Sequence, residues 1–100
     1  MEVIWSEQAE QSLASIVEFI AKDNVRAALE MDMLLQNAAE GLVIFPHKGK
    51  PGRVPGTREL VAHEHYILVY RLTDNAVYIV TALHTSMRRP LGSINFGPSD

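Results

Sequence analysis

Six of the eleven residues from Pro46 to Gly56 are glycine or proline: Pro46, Gly49, Pro51, Gly52, Pro55 and Gly56. Proline fixes φ and removes a backbone donor, while glycine is unfavourable inside helices and strands, so regular structure is forbidden for about ten residues here. The stretch divides the chain into halves that fold by different rules. Before it, apolar residues recur at helical spacing; after it, short apolar runs alternate with turn residues.

In the first half, Glu2 to Trp5 is a short apolar run of strand type. Ser6 is a candidate helix N-cap, and Glu7 and Glu10 fall in the first turn, where the helix dipole favours anions. Ala9, Leu13, Ile16, Val17 and Ile20 then make one buried stripe. Asp23 and Asn24 break this helix and cap a second, whose stripe is Ala28, Met31, Leu35, Ala38 and Leu42. So short a break predicts an antiparallel helical hairpin. In the second half, Arg58 to His63 reads as a strand, His63-Glu64 as a reversal and Tyr66 to Leu72 as a central strand apolar on both faces. Asp74-Asn75 reads as a hairpin turn, and Val77 to Leu83 as the last strand. The predicted order is βααβββ, an α+β domain with the helical hairpin on one face of a small, mainly antiparallel sheet. If the first strand runs parallel to a later one, the hairpin is its crossover. Residues 1–91 are read as one domain and 92–100, rich in Gly, Ser and Pro, as a flexible tail.

The charge is divided as sharply as the pattern. Residues 1–45 carry eight acids against Lys22 and Arg26, a balance of −6; residues 46–100 carry four acids against seven bases, a balance of +3. All four histidines lie in the second half. One face of such a molecule is suited to an anionic partner. The chain has no cysteine, so thiol chemistry and disulfides are excluded. The opening residues have neither a basic leader nor a long apolar run, and the expectation is a cytoplasmic protein without a membrane span.

Several side chains are candidates for chemistry. His63 and His65, two apart, would share one side of a continuous strand and form half of a metal seat, but no third ligand is spaced to complete it; the plainer reading is a polar turn. His84, at the end of the last strand, has the pKa range of a general acid or base, or is a hydrogen-bonded strand end. Arg53, Arg58, Arg71, Arg88 and Arg89 form a diffuse basic set. Arg58 and Arg71 fall at one end of an antiparallel pair, whereas Arg88 and Arg89 follow the last strand toward the other edge. The prolines between Gly49, Gly52 and Gly56 exclude a phosphate-cradling loop, and no nucleophile elbow is present; no cofactor is implied.

The segment Gly52-Arg-Val-Pro-Gly-Thr-Arg-Glu-Leu-Val61, the run Tyr66-Ile-Leu-Val-Tyr-Arg-Leu72, and Leu83-His84 followed by arginines resemble the RelE/ParE superfamily of bacterial toxins, and ParE-like members more closely. The similarity spans residues 2–90 and includes the helical hairpin. The resemblance implies the toxin of a type II toxin–antitoxin system, with roles in growth inhibition and in plasmid or genome maintenance, neutralised by a cognate antitoxin. The expected assembly is a homodimer or a hetero-oligomer with that antitoxin, which would dock between the hairpin and the sheet edge, with Met31 and Met33 as adaptable contacts. ParE-like members block DNA gyrase by binding. RelE-like members cut messenger RNA in the ribosome with basic residues on the phosphate. Ribonuclease members carry an arginine just after the aromatic that opens the central strand, where this chain has Ile67, and a basic residue after the last strand, where it has Thr85-Ser86. The expectation is therefore a gyrase-directed toxin that binds through Arg53, Arg58, Arg71, Arg88 and Arg89. The alternative is a ribosome-dependent endoribonuclease using His84, assisted by His63, with Arg58 and Arg71 on the phosphate. A non-toxic interaction module is the second alternative.

Overall fold

The computed structural model describes residues 1–88. Arg89 and the expected tail, 92–100, lie outside them. β1 (Glu2–Trp5) leads into α1 (Glu7–Ala21) and α2 (Val25–Gly41). There follow β2 (Lys50–Pro51), β3 (Arg58–His63), β4 (Tyr66–Leu72), β5 (Ala76–His84) and a 3-10 turn (Thr85–Arg88). The sheet order is β1-β5-β4-β3-β2. β1 runs parallel to β5, so the helical hairpin is the crossover, and the remaining pairings are antiparallel. Two helices on a five-stranded mixed sheet make the expected α+β architecture. The sequence reading errs at one element. Within the Gly/Pro stretch, Lys50 and Pro51 add a two-residue edge strand on β3, because an edge position leaves the proline's missing donor on the solvent side.

Local chemistry explains the helix starts. Ser6 accepts the Ala9 amide at 3.0 Å and Asn24 accepts the Ala27 amide at 3.0 Å, each satisfying an orphan donor of the first turn. Ser6 also donates to the Val80 carbonyl at 2.9 Å, and Ser12 accepts the Ala82 amide at 3.1 Å. These two serines bind α1 to the part of β5 that β1 leaves uncovered. The ladder shifts there by one residue, since Val69 pairs with Thr81 but Tyr70 with Ile79.

The core lies between hairpin and sheet: Ala9, Ala39 and Leu42 meet Leu60, Leu68, Tyr70, Val77, Ile79 and Ala82. Burying each larger apolar side chain stabilises the fold by roughly 1.5–3 kcal/mol. Tyr66 to Tyr70 are all buried, as the apolar run predicts for a strand covered on both faces. Among the described residues no helix is long and apolar enough to cross a membrane.

Candidate functional site

The sheet has two chemically distinct ends. At one, the register opposes Arg58 to Tyr70 across β3 and β4, so both side chains stand on the helix-side face. There they meet the turn that leaves α2. The Tyr70 hydroxyl donates to the Pro46 carbonyl at 2.6 Å and accepts the Gly49 amide at 3.0 Å. Arg58 donates to the Gly49 carbonyl through Nη2 at 2.6 Å and Nε at 3.0 Å, and to the His47 carbonyl at 3.4 Å. Gly49 is buried under this pair: a methyl there would come within 2.7 Å of the Glu59 carbonyl and 2.8 Å of the Tyr70 ring. Arg58 is thus a latch for the turn.

The opposite sheet face carries Arg53 and Arg71. Arg53 lies beside the buried Glu59, Nε to Oε2 at 3.8 Å, and its amide donates to the same oxygen at 3.3 Å. A buried carboxylate needs such a partner, so Arg53 has a structural task. Arg71 is exposed, and its guanidinium lies against Gly56, where an added methyl would meet Nη1 at 3.1 Å. Gly56 has φ +86°, which a side chain would strain. Lys48 and Lys50 are exposed on the adjoining turn and edge strand. The expected proximity of Arg58 and Arg71 is present, on opposite faces. Arg88 closes the 3-10 turn beyond the other end of β5.

At that other end the histidines gather. His84 pairs with Tyr66 across β4 and β5, and His63 ends β3. The His63 and His65 rings are 5.5 Å apart, His65 stacks on His84 at 5.7 Å, and Tyr66 meets His84 edge-on at 5.5 Å. His63 and His65 do not share a strand face, because the chain turns at Glu64-His65. Among the described residues no group of three or more His, Asp or Glu is placed to hold a metal ion.

The hydrogen bonds fix what these imidazoles offer. Nδ1 of His84 accepts the Ser86 amide at 3.1 Å and sits 2.9 Å from the Ser86 hydroxyl; Nδ1 of His63 accepts the His65 amide at 3.1 Å. An imidazole that accepts at Nδ1 carries its neutral-state proton on Nε2. The free nitrogen is then a donor with no lone pair, unsuited to act as a general base. Arg58, opposite Tyr70, is four residues along β4 from the His84 level, about 13 Å. The structure therefore separates His84 from Arg58 and Arg71.

Sequence reasoning missed Ile44, Phe45, Lys48 and Lys50, and the latch of Tyr70 and Arg58. The available signal was the run Leu42-Val-Ile-Phe45, four apolar residues at the close of a helix whose stripe buries only one side. Ile44 and Phe45 are 73% and 67% exposed.

The family model described as the ParE toxin of the type II toxin-antitoxin system parDE matches residues 3–89. A Sinorhizobium fredii protein named as a toxin, Y4kP, is 36% identical over 87 residues, covering 86% of this chain and 90% of that protein. Toxin RelE2 of Caulobacter vibrioides is 31% identical over 85 residues, covering 85% and 96%. Among solved structures, one described as the chromosomal ParDE TA system from P. aeruginosa superposes with a TM-score of 0.74 at 20% identity, covering 84% of this chain and 95% of that one, a likeness of fold.

Proposed function

This chain belongs to the ParE toxin family of type II toxin–antitoxin systems, and on that premise we propose that it arrests growth by docking onto DNA gyrase. A toxin of this type has a cognate antitoxin as its partner. The observation that carries the gyrase reading is the engagement of Arg58 on the Gly49 and His47 carbonyls, about 13 Å along the sheet from His84. Stabilising a phosphorane-like transition state takes free donors beside the proton-transfer group, and removing one such donor slows a reaction by about a hundredfold or more. Arg58 is not free for that work. Ile67, where the ribonuclease pattern has an arginine, is fully buried. Lys48, Lys50 and Arg71 are exposed cations, side chains suited to pairing with an acidic protein face.

The ribonuclease reading draws its support from the cluster of His63, His65, His84 and Tyr66. The names of the relatives divide between the branches and do not choose. Supercoiling by purified gyrase, titrated with toxin beside a translation extract, separates the readings. Inhibition of supercoiling near stoichiometric toxin, with translation intact, is the expected result. Codon-specific messenger cleavage with supercoiling untouched would replace it by the ribonuclease reading, and harmless overexpression without antitoxin would leave the non-toxic module.

A further inference from the structure

His63 and His84 fasten two neighbouring turns by one device. In each, the imidazole Nδ1 accepts the amide two residues on, that of His65 at 3.1 Å and that of Ser86 at 3.1 Å. A backbone amide can only donate, so both Nδ1 atoms present lone pairs. The arrangement is the one an asparagine makes when its side-chain carbonyl holds a turn. The two turns are also tied to each other. The Thr85 amide donates to the His65 carbonyl at 2.8 Å, and the His65 ring stacks on His84 at 5.7 Å. The reversal between β3 and β4 and the 3-10 turn Thr85–Arg88 thus form a single clasp at the histidine end of the sheet. Unlike an asparagine, a clasping imidazole takes up a proton, and with Nε2 already protonated its one basic site is the Nδ1 that holds the turn. The imidazolium has a donor at both nitrogens, so protonation sets an N–H against the amide it had bound.

We propose that His63 and His84 make this clasp a pH-operated device: protonation of their Nδ1 atoms frees the His65 and Ser86 amides and loosens the 3-10 turn from the β3–β4 reversal. Two effects act in the same direction. The acceptors are lost, and charged rings spaced at 5.5 Å (His63 to His65) and 5.7 Å (His65 to His84) repel one another. The surroundings do little to oppose this. Glu64 lies 3.1 Å from Nε2 of His65, so its carboxylate serves the middle ring and neither clasping one. Tyr66 meets His84 edge-on and His63 at 6.1 Å. α1 faces the groove beside His84 with Ser12, Ser15, Ile16 and Phe19, none of them charged. Arg88, in the loosened turn itself, adds a further positive charge to that end. The Arg58 turn lies about 13 Å along the sheet and shares none of these hydrogen bonds, so the effect of acid is local. The inference is independent of the toxin's target.

The test is an NMR titration of the full, 15N-labelled chain from about pH 8 to about pH 5.5, the range in which imidazoles change charge. At the upper end the ring nitrogen shifts should show Nδ1 as the unprotonated atom of both His63 and His84. As the rings charge, the His65 and Ser86 amide signals should move with them. The exchange protection of these amides, referred to the unstructured-chain rate at each pH, should fall by about fivefold or more, the population equivalent of one net hydrogen bond. Protection at Gly49 and Leu68 should change by less than about twofold. His63→Asn and His84→Asn then supply an acceptor that does not titrate, and each should keep its own amide protected across the whole range. Nδ1 protonated at pH 8 overturns the proposal. So do rings that titrate while both amides stay unmoved, or asparagine variants that lose protection on acidification as the wild type does. Should an asparagine fail to hold its turn even at pH 8, the wild-type titration decides alone, by whether the two amides follow the two rings.

Discussion

Removing one oxygen atom, in Tyr70→Phe, isolates the latch from everything else the side chain does. The ring is fully buried and stays in place, so no cavity opens. What disappears is the hydroxyl that accepts the Gly49 amide at 3.0 Å and donates to the Pro46 carbonyl at 2.6 Å. The Pro46 carbonyl belongs to a half-buried residue and can be hydrated, so its loss is small. Gly49 is buried, and an unpaired amide there costs about 1–3 kcal/mol. The sum is a destabilisation of about 2 kcal/mol. For a domain of this size that lowers Tm by about 8–10 °C. Chemical denaturation should show the midpoint falling at an unchanged slope, since the surface exposed on unfolding is the same. Amide exchange should locate the effect, with Gly49 losing protection while Leu68 and Val69 keep theirs relative to the new global stability. A Tm drop under about 2 °C, or an equally protected Gly49 amide, would refute the claim that the hydroxyl holds this turn.

Two glycines provide a contrast of sign. Gly49→Ala should destabilise by about 3 kcal/mol, because its neighbours are backbone and a buried ring. Gly41→Ala, with nothing within 4 Å of the new methyl, should stabilise by about 0.5 kcal/mol; urea unfolding of the pair checks both. The arginines should divide likewise. Arg58→Lys loses the forked contact to Gly49 and His47 and costs about 1–2 kcal/mol in the same assay. Arg71→Ala stays within about 0.5 kcal/mol of the wild type yet lowers potency in the supercoiling titration. His84→Ala should arrest growth on induction as the parent does; loss of arrest at unchanged stability would return His84 to the catalytic list.

The helices and the longer strands were legible because each rests on local patterning; the parallel pairing of β1 with β5 joins the two ends of the described chain and stood in the sequence only as a conditional. Ser6 and Asn24 cap where a short polar side chain precedes an apolar stripe, and Tyr66 to Tyr70 is apolar throughout because both faces are covered. The two-residue β2 was not legible, since it exists only where β3 offers an open edge. The roles of the arginines were hidden for the same kind of reason. Arg58 and Arg71 look equivalent in the sequence, one at the start of a strand and one near the end of its neighbour. Which of them is free depends on the register.

That register carries the functional argument further than the list of cations does. Arg58 opposes Tyr70, so both face the turn after α2, and a guanidinium beside a phenol there meets carbonyls before it can meet a ligand. Arg71, one residue past Tyr70, takes the other face by strand alternation and remains exposed. Sliding β3 by one residue against β4 would exchange these environments and put Arg58 on the same outer face as Arg71, the pairing that the ribonuclease alternative asks of these two residues. The observed pairing turns one arginine of that set inward as a structural part. It thereby commits that arginine to a rigid turn, the same turn on which Ile44 and Phe45 stand exposed.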